Sequence, residues 1–499
     1  LKILYLFVLP KSLNVQMKPR VLIIPAAIRS HVLPSLYVAD KLSEEGYEVH
    51  YAVTNDILAE LVTKNGYQAV KNTGWRAGYG MEASYIGVKK KKVSYRRLLK
   101  AYRTNELYWE RKRELDGLIE ELRPTTILID LFVCTDFWVL YPRRSEFTIA
   151  FFNPMPSTYR VGEWPIVSSP LNPPMRDLIP SGSSHTSRSD AQQGGLKSEL
   201  KKRSDLFLQF LRNPRQAWLR QAITRHRQFL AQIAPLAQDA TVTQVIANVP
   251  ELVLAPLEFE FAPEIRQPNQ HYLGLCMREH RQDTELDSLF EQAWEHIIGS
   301  KKVPQPSGEG FREGFHRLVY CSFGTFHEGA DATLLRFVTN LLEVIAELPH
   351  VHLICSVNKY VIETLRARKL LTERTHFFSR VPQLKVLADA DVFITHAGFG
   401  SIKEAIYYGV PMLAYPLDPH YDQNGNAVKI EYHGLGLRGA FAHERLGDLK
   451  KKLERLLEEK TFRERVRQFR EAVTENYHEE DVKQKVQNIL MNKHSAVLA

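Results

Sequence analysis

Apolar runs with no polar alternation recur along the chain. "VLIIPAA", from Val21, predicts a strand buried on both faces, as in a parallel sheet. The following "LPSLYVADKLSEEG" places Leu36, Val38, Ala39 and Leu42 at helical spacing and ends on Gly46, suited to a helix C-cap. "YEVHYAV" is the next strand and closes a β-α-β unit; "TTILID", ending at Asp130, and "FTIAFFN" continue the alternation. A second series opens at "RLVYCSFGT" (Arg317–Thr325), with a helical "VTNLLEVIAEL" and strands "VHLICSV" and "DVFITH". Each half therefore predicts a doubly wound α/β sheet. "GSKKVPQPSGEGFREG" has the Pro, Gly and charge content of a linker, and residues 181–198 read as a mobile surface insertion. The charged pattern from about Leu446 to Leu490 predicts packing or domain-bridging helix.

At 499 residues the chain exceeds what one hydrophobic core supports, so two or three domains are expected. A net charge of +9 is dispersed along the chain. Its densest run, Lys89–Lys92 with Arg96 and Arg97, reads as a solvated face, not a nucleic-acid or membrane patch, though peripheral membrane contact stays open. Cys134, Cys321 and Cys355 lie in apolar runs and Cys276 in a loop-like stretch, with no C-x-x-C pair. That usage favours a reducing, cytoplasmic setting and gives no metal signature. "TTILIDLFVCTDFWVLY" carries Asp130 and Asp136 and falls short of a membrane span, which needs about 20 apolar residues. Residues 1–16 read as a mis-called upstream start or disordered extension, because Met17 opens "MKPRVLII".

The most informative stretch is "FITHAGFGSIKEAIYYGVPMLAYPLDPHYDQNGN", from Phe393. His396 ends a strand, where ligands of open α/β sheets bind. Gly398 and Gly400 permit close backbone approach, and a helix beginning near Ser401 would offer free N–H groups to phosphate oxygens. A blander reading makes Ser401 and Glu404 an S-x-x-E capping box. No G-x-G-x-x-G fingerprint follows the opening strand of either half, and the first βα loop, "PAAIRSHVLPS", has no glycine, which disfavours a dinucleotide oxidoreductase.

Taken together, "VPQ", "THAGFGSIKEA", "YYGVP" and "DQNGN" resemble the donor-binding signature of family 1 glycosyltransferases, inverting enzymes that use nucleotide-diphosphate sugars. "SFGT", "VPELVLAPLEFEF", "HYLG" and the H-x-x-P of "SHVLP" resemble further blocks, covering roughly residues 17–60, 119–136, 245–276 and 317–440. The resemblance implies the GT-B fold: two facing Rossmann-like doubly wound domains with a cleft between them. It divides the chain into an acceptor domain (17–276), a linker (277–316), a nucleotide-sugar domain (317–475) and a terminal helix (476–499) packing back on the first domain. By the same resemblance His396, Gly398, Gly400 and Ser401 hold the diphosphate, with Gly324 and Thr325 close by. Glu404 takes the ribose hydroxyls, Val381 and Gln383 meet the base edge, and Asp422 and Gln423 bind the sugar. Arg380 stands where plant relatives have a base-stacking Trp, and two extra residues between Pro416 and Asp422 alter the approach to the sugar.

His31 and Asp130 would be the general base and its orienting carboxylate, acting on an acceptor hydroxyl. Their structural alternatives are a satisfied strand-end histidine and a simple helix cap. Asp136, expected on a helix surface, is a rival partner. Phe132, Phe152, Met155 and Trp164 are candidates for an apolar acceptor slot, with core packing an equal alternative for the first two. No cofactor or metal is implied beyond the nucleotide sugar as co-substrate. The partners expected are that sugar and a small apolar acceptor, with no nucleic acid. A sugar-nucleotide epimerase of the same fold and a non-catalytic surface-binding protein are the rival readings.

Overall fold

The computed structural model describes residues 18–78, 80–90, 93–173, 213–234, 249–265, 267–299, 317–324 and 332–491. The expectations for residues 1–16, the insertion at 181–198, the linker beyond 299 and Thr325 fall outside these residues. The N-terminal lobe holds β1 (Arg20–Ile24), β2 (Glu48–Val53), β3 (Gln68–Lys71), β4 (Thr126–Asp130), β5 (Thr148–Asn153), β6 (Glu251–Val253) and β7 (Gln270–Tyr272). The C-terminal lobe holds β8 (Arg317–Ser322), β9 (Val351–Ser356), β10 (Thr375–Phe378), β11 (Val392–Thr395), β12 (Met412–Ala414) and β13 (Gly436–Arg438).

Every strand pairing is parallel. The sheet orders are β3-β2-β1-β4-β5-β6-β7 and β10-β9-β8-β11-β12-β13. In each the chain winds outward from a central strand, then crosses to that strand's other side, so a switch point lies between β1 and β4 and another between β8 and β11. Uninterrupted apolar strands follow from this layout. Val21 and Ile23 of β1 pack into one core and Leu22 and Ile24 into another, on opposite faces of the sheet. In β8, Leu318 and Tyr320 face one core, Val319 and Cys321 the other. Each fully buried Leu, Ile or Val contributes about 1.5–3 kcal/mol of hydrophobic stabilisation.

The first helix differs from expectation in a way that matters. It spans Arg29–Glu44, so His31 sits in its first turn and not in a loop. The expected helical stretch began only at Leu33, and proline disfavours helix in the residue before it. Burial of Val32 and Leu36 overrides that preference. The helix ends as expected: Gly46 adopts φ +85°, and the Gly46 and Tyr47 N–H groups reach back to Ser43 and Leu42 carbonyls, both at 3.0 Å.

Part of the stretch expected to be linker is folded, since the helix Phe290–Gly299 buries Phe290, Trp294 and Ile297 in the C-terminal core. The last described helix, Glu479–Met491, crosses back and buries Val482, Val486 and Leu490 against Val38 and Leu42 of the N-terminal lobe. All four cysteines are free and buried, Cys276 included. Among the described residues no helix is long and apolar enough to cross a membrane.

Candidate active site

Both switch points open onto one cavity of about 340 Å³ between the lobes. His31 follows β1, and Asp130 ends β4. Gly324 follows β8, and His396 follows β11. The strand orders thus bring four residues, distant in sequence, to two matching positions.

On the N-terminal side, His31 Nδ1 lies 2.8 Å from Asp130 Oδ2, with the carboxylate fully buried. Oδ2 also accepts the Ala26 N–H at 2.9 Å, and Oδ1 accepts the Phe132 N–H at 2.9 Å. Asp130 therefore caps the short turn after β4 with one oxygen and holds the imidazole with the other. A carboxylate acceptor assigns the proton to Nδ1 and leaves Nε2 a lone pair. Phe132 packs edge-on against the imidazole, ring centroids 4.6 Å apart. Asp136 corrects the expectation of a surface position. It is buried and forked by Arg111, Nη2 to Oδ2 at 2.6 Å and Nε to Oδ1 at 3.0 Å, with Arg76 at 3.3 Å. Those guanidiniums hold its carboxyl below the usual carboxylate range against the opposing effect of burial. It is a structural ion pair, since removing one partner would strand a buried charge.

On the C-terminal side the helix spans Phe399–Tyr408 with Gly398 as N-cap and no side-chain cap. Its start precedes the expected Ser401, and the capping-box alternative fails because Glu404 is turned elsewhere. Phe399, Gly400 and Ser401 are first-turn residues whose N–H groups have no intrahelical acceptor. The His396 ring is held between glycines. A Cβ on Gly398 would stand 2.4 Å from Nε2, and one on Gly324 would stand 2.7 Å from Cε1. Between His396 and Gly398, Ala397 adopts φ +64°, a left-handed conformation that costs an alanine about 1–2 kcal/mol. Buried Asn426 braces it by donating to the Ala397 carbonyl at 3.0 Å. Such strain, held in place by a buried amide beside a cavity, points to function.

One turn along this helix, Glu404 Oε2 accepts from Gln383 Nε2 at 2.6 Å, and Oε1 accepts from Arg281. Gln383 also donates to Ser401 Oγ at 3.1 Å and accepts from Tyr320 at 3.1 Å. Its amide is thus engaged with Glu404, and both Gln383 and Val381 line the cavity. Burial works against the Arg281 charge, and Glu404 and Asp283 outweigh it. Arg29 is held below its ordinary value by burial and then by Arg380, despite Asp283 at 3.3 Å.

Asp422 and Gln423 reach the cavity despite the two extra residues. Gln423 Oε1 accepts from the Leu417 and Asp418 N–H groups at 2.8 and 3.0 Å, and so folds the longer loop inward. Asp422 is buried and accepts from Asn426 at 2.8 Å. Burial raises its carboxyl above the usual range, while the Asn426 bond and nearby His31 oppose the shift.

Of the acceptor candidates, Phe132 and Met155 line the cavity. Phe152 does not, because it lies in the N-terminal core. Trp164 does not either, being stacked on Phe261 at 6.0 Å. Ile28, Leu33, Pro34, Pro154 and Tyr421 supply the apolar wall instead. Arg281, Arg29 and Asn426 escaped sequence reasoning. Asn426 lay within the quoted motif "DQNGN" and Arg29 within the quoted loop "PAAIRSHVLPS".

Residues 305–475 match the family described as UDP-glucoronosyl and UDP-glucosyl transferase. That match falls on the C-terminal lobe. Oleandomycin glycosyltransferase of Streptomyces antibioticus is 26% identical over 231 residues, 46% of this chain and 43% of that protein. Zeaxanthin glucosyltransferase of Pantoea ananas is 43% identical over 58 residues, 12% of this chain and 13% of that one. The chain therefore matches less than half the length of these curated relatives. Among solved structures, the glycotransferase of kitacinnamycin is 20% identical, covers 95% of this chain and 100% of its own, and superposes with a TM-score of 0.58. Spinosyn forosaminyltransferase is 17% identical, covers 95% and 100%, and gives 0.54. The two-lobed architecture of this UDP-glycosyltransferase-like chain is accordingly GT-B.

Proposed function

We propose that this protein is an inverting glycosyltransferase moving a hexose from a nucleotide diphosphate to a hydroxyl of a small, largely apolar acceptor. The observation that carries the reading is the shared cavity, with the His31–Asp130 pair on one wall and the His396 turn with its helix N-terminus on the other. An acceptor hydroxyl between them would lose its proton to His31 Nε2 while its oxygen attacks the anomeric carbon. Asp130 would hold the ring and stabilise the imidazolium formed. The departing diphosphate would be met by the first-turn N–H groups, the positive end of the helix and His396. Asp422 and Gln423 lie where they could bind sugar hydroxyls, and the apolar wall favours a ring-rich acceptor, in keeping with relatives named for oleandomycin and zeaxanthin.

The test is a screen of α-linked UDP- and TDP-sugars against phenolic and aliphatic alcohols, with the product's anomeric configuration read by NMR. A β-glycoside is expected. An α-glycoside would refute inversion, and donor conversion without any glycoside would favour the epimerase reading.

A further inference from the structure

Arg281 lies in the segment after β7, and its side chain is only 9% exposed, yet it lines the cavity. Among the described residues only its Nη1 is hydrogen-bonded, to Glu404 Oε1. Nε stands 3.3 Å from Asp283 Oδ1 without hydrogen-bonding geometry. A buried guanidinium with unused donors is costly unless something takes them up. The anchor it grips is the carboxylate that, on the proposed function, receives the ribose diol. Gln383 already occupies the other oxygen of that carboxylate.

The chain on either side of Arg281 is held by contacts of its own. Three residues upstream, Arg278 is tied to Asp40 at 2.8 Å and to the Asn65 carbonyl at 3.1 Å. Downstream, Asp283 and Thr284 bind Arg29 at 3.3 and 2.6 Å. Glu404 is five residues beyond Phe399, so its Cα is about 7.5 Å along the axis from the helix start, a span a long arginine can shift across. Of the other cations along this wall, Lys403 donates to the Leu254 carbonyl at 2.6 Å and Arg29 serves Asp283 and Thr284, while Arg380 is more exposed and stands 3.9 Å from Glu285.

We infer that Arg281 is a donor-binding residue that leaves Glu404 when the ribose diol arrives and turns its guanidinium onto the diphosphate. The exchange keeps every charge partnered. The two hydroxyls satisfy Glu404, and the incoming anion receives a cation beyond the helix N-terminus and His396. This deepens the proposed function and rests on it.

Calorimetric titration of UDP and of uridine into wild type, Arg281→Met and Arg281→Lys tests the inference. Arg281→Met should weaken UDP about 10- to 100-fold, the worth of one charge-assisted hydrogen bond, while uridine binds as well or better. Arg281→Lys should recover part of the UDP affinity. The double variant Arg281→Met/Glu404→Gln, which leaves no unpaired carboxylate, should show the same loss of preference for UDP over uridine relative to Glu404→Gln alone. An unchanged UDP-to-uridine ratio in Arg281→Met, whether both weaken or both tighten, overturns the inference and leaves the functional reading standing. A wild-type protein that bound neither compound would overturn both.

Discussion

The two lobes put an imidazole at equivalent places, just past a central strand of a parallel sheet, and restrain it by opposite means. His31 is held by a partner: a buried carboxylate, itself pinned by two backbone N–H groups, fixes the ring through Nδ1. His396 is held by space: Gly324 and Gly398 leave a slot that any Cβ would close, beside a strained Ala397. A carboxylate-backed imidazole is equipped to take and hold a proton. A ring wedged beside a helix N-terminus is equipped to point a donor at an anion. Similar folds and the same residue type thus prepare different chemistry, and the difference lies in what surrounds each ring.

The largest expected effect comes from removing the proton-handling side. His31→Ala should lower transfer about 10²- to 10⁴-fold, with UDP affinity unchanged by calorimetry. Asp130→Asn should move turnover in the same direction, since an amide no longer enforces the proton on Nδ1. Equal losses of nucleotide affinity and turnover in His31→Ala would mean that the two imidazoles share one job, and the contrast would collapse.

Closing the slot on the other side should invert that pattern. In Gly398→Ala the new methyl would lie 2.4 Å from His396 Nε2, so the ring must leave its place. UDP affinity should fall about 10- to 100-fold, the range for one hydrogen bond to a charged group. Turnover at saturating donor should fall less than affinity does. A variant that kept its affinity and lost only turnover would assign His396 to chemistry instead of binding.

How far the sequence shows this arrangement depends on the range of the interactions. The strands and both histidine positions were legible, because unbroken Val, Ile and Leu runs mark parallel strands and ligand residues follow their ends. The helix start at Arg29 was not, since tertiary burial of Val32 and Leu36 outweighs the local signal of Pro34. The Asp136 fork with Arg111 and the Arg281 tie to Glu404 join residues on separate elements, and no local pattern marks such pairs. Phe132 and Phe152 looked alike as candidates, but one follows a strand end into the cleft and the other is enclosed within its sheet's core.

The smallest effect separates the cleft from the lobe that carries it. Glu251 on β6 is fully buried; its Oε1 accepts from Asn153 and Gln270 at 2.9 and 3.0 Å, and its Oε2 has no hydrogen-bond partner among the described residues. Burial pushes its carboxyl up to about 7, from an ordinary 4.5, against those two hydrogen bonds. The folded lobe therefore binds this proton more tightly than the unfolded chain does. Its contribution to stability is fully present below about 4.5 and is lost as pH rises through 7. The total is about 3 kcal/mol, at roughly 1.4 kcal/mol per pH decade. Glu251→Gln keeps the shape without the titration, so denaturant unfolding of the variant should lose that slope and match or exceed wild type above pH 7. The same slope in both proteins would move the effect to another group. With that slope removed, the pH dependence of transfer in Glu251→Gln can be measured without the loosening that this carboxyl brings to the lobe, and the contrast between the two imidazoles stands out more clearly.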